Sequence, residues 1–224
     1  AKADVRITLI DKRNFNLFQP LLYQVATGLV SRSDVATPLR ELVGKQDNVQ
    51  VLLGEVTTVN PEGKQIVFNG KAYSYDHLIL ATGSGSTYFG HEDWRTFAPR
   101  MTSLEHAEEI RRRLLMAMEQ AEQTPNPEAR QFLQTVVIVG AGPSGCEMAG
   151  AVSELMRWAL NNAFKQLDPQ KTRIVLVDPG DRVLRAMPEE LSEAALVALE
   201  RDGIEFLPQG LSLIHISEPT RQEA

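Results

Sequence analysis

The hexapeptide GAGPSG, with Gly140, Gly142 and Gly145, is the stretch whose residue types and spacing point most directly to chemistry. It follows the apolar run TVVIV and opens a helical pattern whose first residue is Pro143. In that strand–turn–helix frame a glycine loop cradles the pyrophosphate of a dinucleotide. Gly140 permits the tight turn, Gly142 lets the backbone approach the phosphates, and Gly145 lets helix and strand pack closely. The anion then meets free N–H groups at the helix N-terminus. The alternative is a glycine turn that packs a helix and holds no ligand. Asp178 ends the next apolar run, TRIVLVD. A carboxylate there accepts from a ribose 2′-OH and repels a 2′-phosphate, which favours NADH over NADPH. Arg182, close by, works against that preference, and a plain turn residue before PGD is the other reading of Asp178. Glu147 falls in the first turns of the helix, where the N-terminal partial charge favours an acid. It either acts at a nicotinamide, by positioning it or relaying a proton, or only compensates the dipole.

Asp11 ends ITLID as Asp178 ends its strand, but no glycine loop precedes it. Asp11 is read as the ribose-binding acid of a first nucleotide fold truncated at its N-terminus, or else as a simple strand-end acid.

The elements that must position these residues follow from periodicity. DVRITLID alternates like a strand. SDVATPLRELVGK predicts one short helix, with Ser33 or Asp34 as N-cap and Gly44 as stop. VQVLLGEVTTV and KQIVFNG predict strands around the turn NPEGK, and YDHLILATGS a further strand. A long helix is expected from Ser103 to Gln123, with Thr102 and Glu105 at capping-box spacing. Its apolar stripe is Leu104, Ala107, Ile110, Leu114, Met118 and Ala121. TPNPEAR reads as a polar linker. Beyond it, TVVIVG, the helix from Pro143, TRIVLVD, the helix EELSEAALVALERDG and the strand IEFLP alternate as a βαβαβ unit. The span from Gly145 to Asp178 exceeds the usual roughly 20 residues, and the long helix with KQLDPQKT accounts for the excess. The expected class is α/β with two Rossmann-like dinucleotide folds. Residues 1–100 form a partial first dinucleotide-binding domain without its glycine loop, which the resemblance given below assigns to FAD, and 101–210 a NADH-type domain.

Composition narrows the function. A net charge of −6 argues against non-specific binding to nucleic acid. Arg111, Arg112 and Arg113 lie among Glu105, Glu108 and Glu109, which makes an ion-paired helix face rather than a phosphate clamp. The single cysteine, Cys146, excludes a disulfide framework. The four histidines show no metal-ligand spacing, so no metal is expected.

DKRNFNLFQPLLYQVATG, DVATPLREL, YDHLILATGS, VVIVGAGPSGCEMAGAVSEL and DPQKTRIVLVDPGDRVL stand in order over residues 5 to 207. Together they resemble the bacterial type II NADH dehydrogenases, flavoproteins with two dinucleotide folds. FQPLLYQVATG is the specific part, since many flavoproteins share the glycine loop. The resemblance implies transfer of hydride from NADH to FAD and of electrons to a membrane quinone, without proton pumping. It implies that Asp11 holds the FAD ribose with Lys12 beside it, that Gln19 and Pro20 approach the flavin, and that Val56 meets the adenine through its backbone. Ala81, Thr82 and Gly83 would pass the FAD phosphates and the domain crossover. Gly140, Gly142, Ser144 and Gly145 would cradle NADH, with Glu147 on the nicotinamide side. Implied as well are a place on the cytoplasmic face of the bacterial inner membrane, peripheral contact through a C-terminal part outside this chain, and room for a homodimer.

Disulfide reductases of similar layout need a redox cysteine pair, and neither 12–30 nor 119–135 holds a cysteine. A sulfide:quinone reductase relative is disfavoured by the lone Cys146, and a non-catalytic NADH sensor is the rival of another class. LSLIHISEPTR, residues 211–221, closely resembles a translated sequencing adapter, so 211–224 are expected to be a non-native tail. The chain is read as an internal piece of a longer protein. As such it is expected to lack tight FAD binding and quinone reduction by itself.

Overall fold

The structure is a computed structural model. It describes residues 4–83, 85, 87–88 and 90–209, so the expectation for 211–224 lies outside the described residues. The chain divides into two compact units. One holds residues up to Gln19 together with Ser31–Ser103, and the other Pro20–Val30 together with the residues from Leu104 onward. The helix α1 (Leu22–Thr27) thus belongs to the second unit, although most of the first follows it in sequence.

In the first unit β1 (Ile7–Asp11) runs parallel to β4 (Val49–Leu53), with Asp11 opposite Leu53. The chain turns after β1 because Asp11 Oδ1 accepts from the amides of Arg13 and Asn14, at 2.7 and 2.8 Å. A short antiparallel pair, β2 (Phe15–Leu17) with β3 (Ala36–Pro38), follows from that turn. This pair breaks the single helix expected over 33–44. The segment instead makes α2 (Arg32–Val35), β3, and α3 (Leu39–Val43). Pro38 is the cause, since proline disfavours helical geometry at the residue before it. The cap is Ser31 rather than Ser33 or Asp34, and Asp34 closes a capping box by accepting from the Ser31 hydroxyl and amide at 2.6 and 2.8 Å. Those two bonds, the hydroxyl's first, hold the Asp34 carboxyl below its usual range.

Three antiparallel strands complete this unit: β5 (Val56–Asn60), β6 (Gln65–Phe68) and β7 (Lys71–Ser74). Asn60 Oδ1 accepts from the Gly63 amide at 2.9 Å in the first turn. The second is Asn69-Gly70, both at positive φ, the geometry that an Asn-Gly hairpin favours. Tyr75–Gly83 is not the strand its apolar pattern suggested. Among the described residues no strand pairs with it, and Ile79 and Leu80 are 90% and 65% exposed. An apolar run becomes a strand only with a ladder neighbour and a face to bury.

In the second unit α1 packs on α4 (Leu104–Gln123) and α6 (Pro143–Asn162) through Leu22, Val25 and Ala26. The stripe on α4 is buried as its spacing requires, apart from a half-buried Ile110. On another face of α4, Glu109 accepts from Arg112 and Arg113 at 2.8 and 2.7 Å. The expected linker contains a helix, α5 (Pro127–Leu133). Asn126 caps it by accepting from the Glu128 and Ala129 amides, and Pro127 fills the first position, where no N–H is missed.

The remaining elements are β8 (Thr135–Val139), α6, β9 (Arg173–Asp178), α7 (Glu189–Arg201) and β10 (Ile204–Pro208). Their strands form a parallel sheet in the order β10-β9-β8. This is the α/β class expected from the alternation, with the central strand buried from Ile174 to Val177.

Leu176 is fully buried, so Leu176→Ala should cost about 2–5 kcal/mol, read by thermal or denaturant unfolding. Ile79→Ala should change stability by no more than roughly 0.5 kcal/mol. An equal loss at Ile79 would mean that this segment packs as a strand. Glu109 supplies a pH test. Hydrogen bonds from Arg112 and then Arg113 pull its carboxyl from 4.5 down to about 2. The folded value lies below the unfolded one, so its contribution is complete above about 4.5 and fades as pH falls towards about 2. An NMR titration of the Glu109 carboxyl should place its midpoint near 2, and a midpoint near 4.5 would contradict the pairing.

Candidate dinucleotide site

The glycine loop leaves the C-terminal end of β8 and enters α6. Gly140 continues the sheet by donating to the Val177 carbonyl at 2.7 Å, then turns with φ +104, which favours glycine. Gly145 comes down against it, and a Cβ there would stand 1.7 Å from the Gly140 oxygen. No side chain fits at Gly145, and α6 crosses the strand end as closely as backbone allows. Gly142 differs: a Cβ added there would meet nothing within 4 Å. It is exposed and forms the N-cap of α6, and no side chain caps that end. Pro143 has no N–H, so the first-turn amides of Ser144 and Gly145 are left to water or an anion. Ser144 and Glu147 are exposed on this turn.

Asp178 ends β9 beside the loop. Its Oδ2 accepts from the Ala141 amide and its Oδ1 from the Gly180 amide, each at 2.7 Å. Each oxygen keeps a lone pair for a further donor. Arg182, the residue that threatened the preference for a 2′-hydroxyl, is turned into its own loop, where it donates to the carbonyls of Met187 and Arg185, both at 3.2 Å. The structure therefore brings Gly140, Gly142, Ser144, Gly145, Glu147 and Asp178 to the C-terminal edge of one parallel sheet. That edge is where open α/β sheets bind ligands.

Three participants escaped the sequence reading. Ala141 is buried between the two glycines and accepts from the Leu184 amide at 2.8 Å. Gly180 has no room for a side chain, because a Cβ would meet Arg185 Cδ at 2.4 Å and Asp178 Oδ1 at 2.8 Å. Leu184 takes φ +50, and the buried Ser192 hydroxyl donates to the neighbouring Val183 carbonyl, pinning this loop to the start of α7. Only the PG dipeptide after Asp178 signalled a tight turn. Cys146 is half-buried, and burial, then the charges of Asp178 and Glu147, push its thiol up. That makes it a poor nucleophile.

In the first unit Asp11 and Lys12 sit at the C-terminal end of β1. The Gly54 amide donates to the Asp11 carbonyl at 3.1 Å, which brings the start of β5 at Val56 to the same edge. The turn bonds of Asp11 both use Oδ1 and leave Oδ2 for another donor. Gln19 is exposed at the end of this unit, and Pro20 is exposed at the start of the α1 segment in the second. Ala81, Thr82 and Gly83 are exposed, with Gly83 at φ +72. No bond among the described residues joins Ala81, Thr82 or Gly83 to Asp11. Among the described residues no cluster of acids, histidines and cysteines suits a metal ion.

The sequence has known relatives. The type II NADH:quinone oxidoreductase Ndh of Mycobacterium tuberculosis is 46% identical over 209 residues, covering 92% of this chain and 45% of the relative. NdhA of the same organism is 41% identical over 208 residues, covering 91% and 44%. The chain spans about half the length of the curated relatives it matches. Among solved structures, NDH2 from Plasmodium falciparum in complex with NADH superposes with a TM-score of 0.84 at 24% identity, over 91% of this chain and 43% of that one. The sulfide:quinone oxidoreductase of Aquifex aeolicus gives 0.70 at 19% identity, over 92% and 45%. The family described as pyridine nucleotide-disulphide oxidoreductase matches residues 1–210. The match takes in both the glycine loop and the strand-end acid, and the chain belongs to the pyridine nucleotide-disulphide oxidoreductase family.

Proposed function

We propose that this chain is the dinucleotide-handling part of a type II NADH:quinone oxidoreductase, which passes hydride from NADH to FAD and electrons to a membrane quinone without pumping protons. The observation that carries the proposal is the uncapped N-terminus of α6 under an open Gly142, with Asp178 at the tip of the adjacent strand. The similarity to the two mycobacterial enzymes supports the choice of reaction.

The second unit fits a nicotinamide dinucleotide. Gly140, Gly142, Ser144 and Gly145 receive the pyrophosphate. Asp178 accepts from the adenosine ribose and disfavours a 2′-phosphate, a preference that Arg182 does not oppose while its guanidinium stays on carbonyls. Glu147 serves the nicotinamide side. The first unit fits the ribose end of FAD through Asp11 Oδ2 and Lys12, with Val56 toward the adenine, Ala81, Thr82 and Gly83 along the phosphates, and Gln19 toward the flavin; Pro20 keeps the flavin role that the resemblance implies but belongs to the second unit. The nicotinamide and flavin supply the redox chemistry when bound, while the protein supplies position and electrostatics. The compact units differ from the bounds expected from the sequence, 1–100 and 101–210, because Pro20–Val30 belong with the second unit; the first unit is assigned to FAD and the second to NADH. Among the described residues no helix is long and apolar enough to cross a membrane. Contact with the inner membrane on its cytoplasmic face is proposed to be peripheral, and a homodimer is compatible with the assignment.

Gly142→Val tests the site. The added side chain enters open space, so stability should move by no more than about 1 kcal/mol, the scale of an N-cap change. The side chain would nonetheless fill the place of the pyrophosphate. In titrations NADH should bind the wild-type 224-residue chain, NADPH should bind it at least about tenfold more weakly, and NADH should not bind the variant. Unchanged NADH binding by Gly142→Val would overturn the assignment.

A further inference from the structure

We infer that Asp178 has a second role, in which its carboxylate is the latch that holds the glycine loop in its phosphate-receiving form. The inference rests on the loop being the NADH site and deepens that reading. One side chain joins two segments here. Oδ2 accepts from Ala141, inside the loop, and Oδ1 from Gly180, in the turn after β9, each at 2.7 Å. Bonds to an ionised acceptor are the short, strong ones. Ala141 is only 2% exposed, so its amide has no water to turn to when the carboxylate leaves.

The rest of the loop is held by other means. Gly140 is fixed by the sheet bond to Val177, and Gly145 by backbone contact with Gly140. The Ala141 carbonyl accepts from the Leu184 amide at 2.8 Å. Between the two fixed glycines, Asp178 is the only side-chain acceptor bonded to a loop amide among the described residues. It sets the direction of the Gly140–Ala141 peptide, while the Leu184 amide holds the following peptide by the Ala141 carbonyl, and with the first goes the path by which the chain reaches Gly142 and the first turn of α6. Asp178 is thus a positioning residue for the phosphates as well as a contact for the ribose.

The two roles separate with a ligand that has no adenosine. Nicotinamide mononucleotide brings a phosphate to the loop and nothing to a ribose site at Asp178. Asp178→Asn keeps the shape, but its amide nitrogen must face one of the two N–H groups, donor against donor. The experiment titrates wild type and D178N, as the 224-residue chain, with nicotinamide mononucleotide and with NADH, and follows amide hydrogen exchange at Ala141 and at Leu176. The latch predicts that both ligands weaken about tenfold, the scale of one bond to a charged group. It also predicts exchange at Ala141 about tenfold faster, with Leu176 protection and circular dichroism unchanged. Unchanged mononucleotide affinity and unchanged Ala141 exchange overturn the latch and leave the ribose role. If wild type binds neither ligand, the NADH reading fails by itself. Ala141 exchange then decides the latch, faster in D178N upholding it and equal overturning it. Should D178N not fold, Gly180→Ala displaces the same carboxylate from the other side, since its Cβ would stand 2.8 Å from Oδ1. The same losses uphold the latch, and wild-type behaviour overturns it.

Discussion

The second unit depends on how closely α6 crosses the end of β8. Gly145 lies against the Gly140 carbonyl with no space for a side chain, so helix and strand meet backbone to backbone. That contact points the first turn of α6 along the edge of the parallel sheet, with its unpaired amides outward. The helix packs on β9 and its neighbours and on α1, and Met148, Ala149, Val152 and Met156 are among its buried residues. The small residues are consistent with the short distance, because larger ones would lift the helix away.

The second constraint is a carboxylate that serves backbone first. Asp178 takes two amides, and the guanidinium nearest in sequence is spent on carbonyls of its own loop. The edge therefore presents a negative group where a ribose would lie and partial positive charge where phosphates would lie. On the proposed reading these two potentials suit a dinucleotide without an extra 2′-phosphate, with the Arg185 side chain also beside Gly180. In the first unit Asp11 repeats half of that design. It ends a parallel strand and bonds two amides, but both follow it in its own turn.

The βαβαβ unit was legible because each element carries its own signal. TVVIV and RIVLV read as strands of a parallel sheet, though only the second is buried and Val137 and Val139 of the first are exposed, α6 opens with proline, and α7 is closed by Gly203 at φ +78. The glycine roles could be assigned from spacing because each reflects a local steric need. Elements defined by a partner were not legible. β2 and β3 are three residues each and exist only as a pair, and β7 is exposed throughout, with its place fixed by Asn69-Gly70. The 75–83 segment misled for the opposite reason: its apolar pattern is that of a strand, but no strand pairs with it among the described residues. The bond from Asp178 to Ala141 spans 37 residues, and no local pattern announces it. The FQPLLYQVATG stretch was recognised as a motif, yet its packing as α1 on α4 and α6 is a contact between distant parts of the chain.

The central claim is that NADH binds at the α6 N-terminus and the tip of β9. The most direct measurement is an amide chemical-shift map of the isotope-labelled 224-residue chain titrated with NADH. The account predicts the largest changes at Gly140 to Glu147, excepting Pro143, and at Asp178 and Gly180, with little effect on β5, β6 and β7. Saturable changes centred elsewhere, with the glycine-loop amides unmoved, would contradict it.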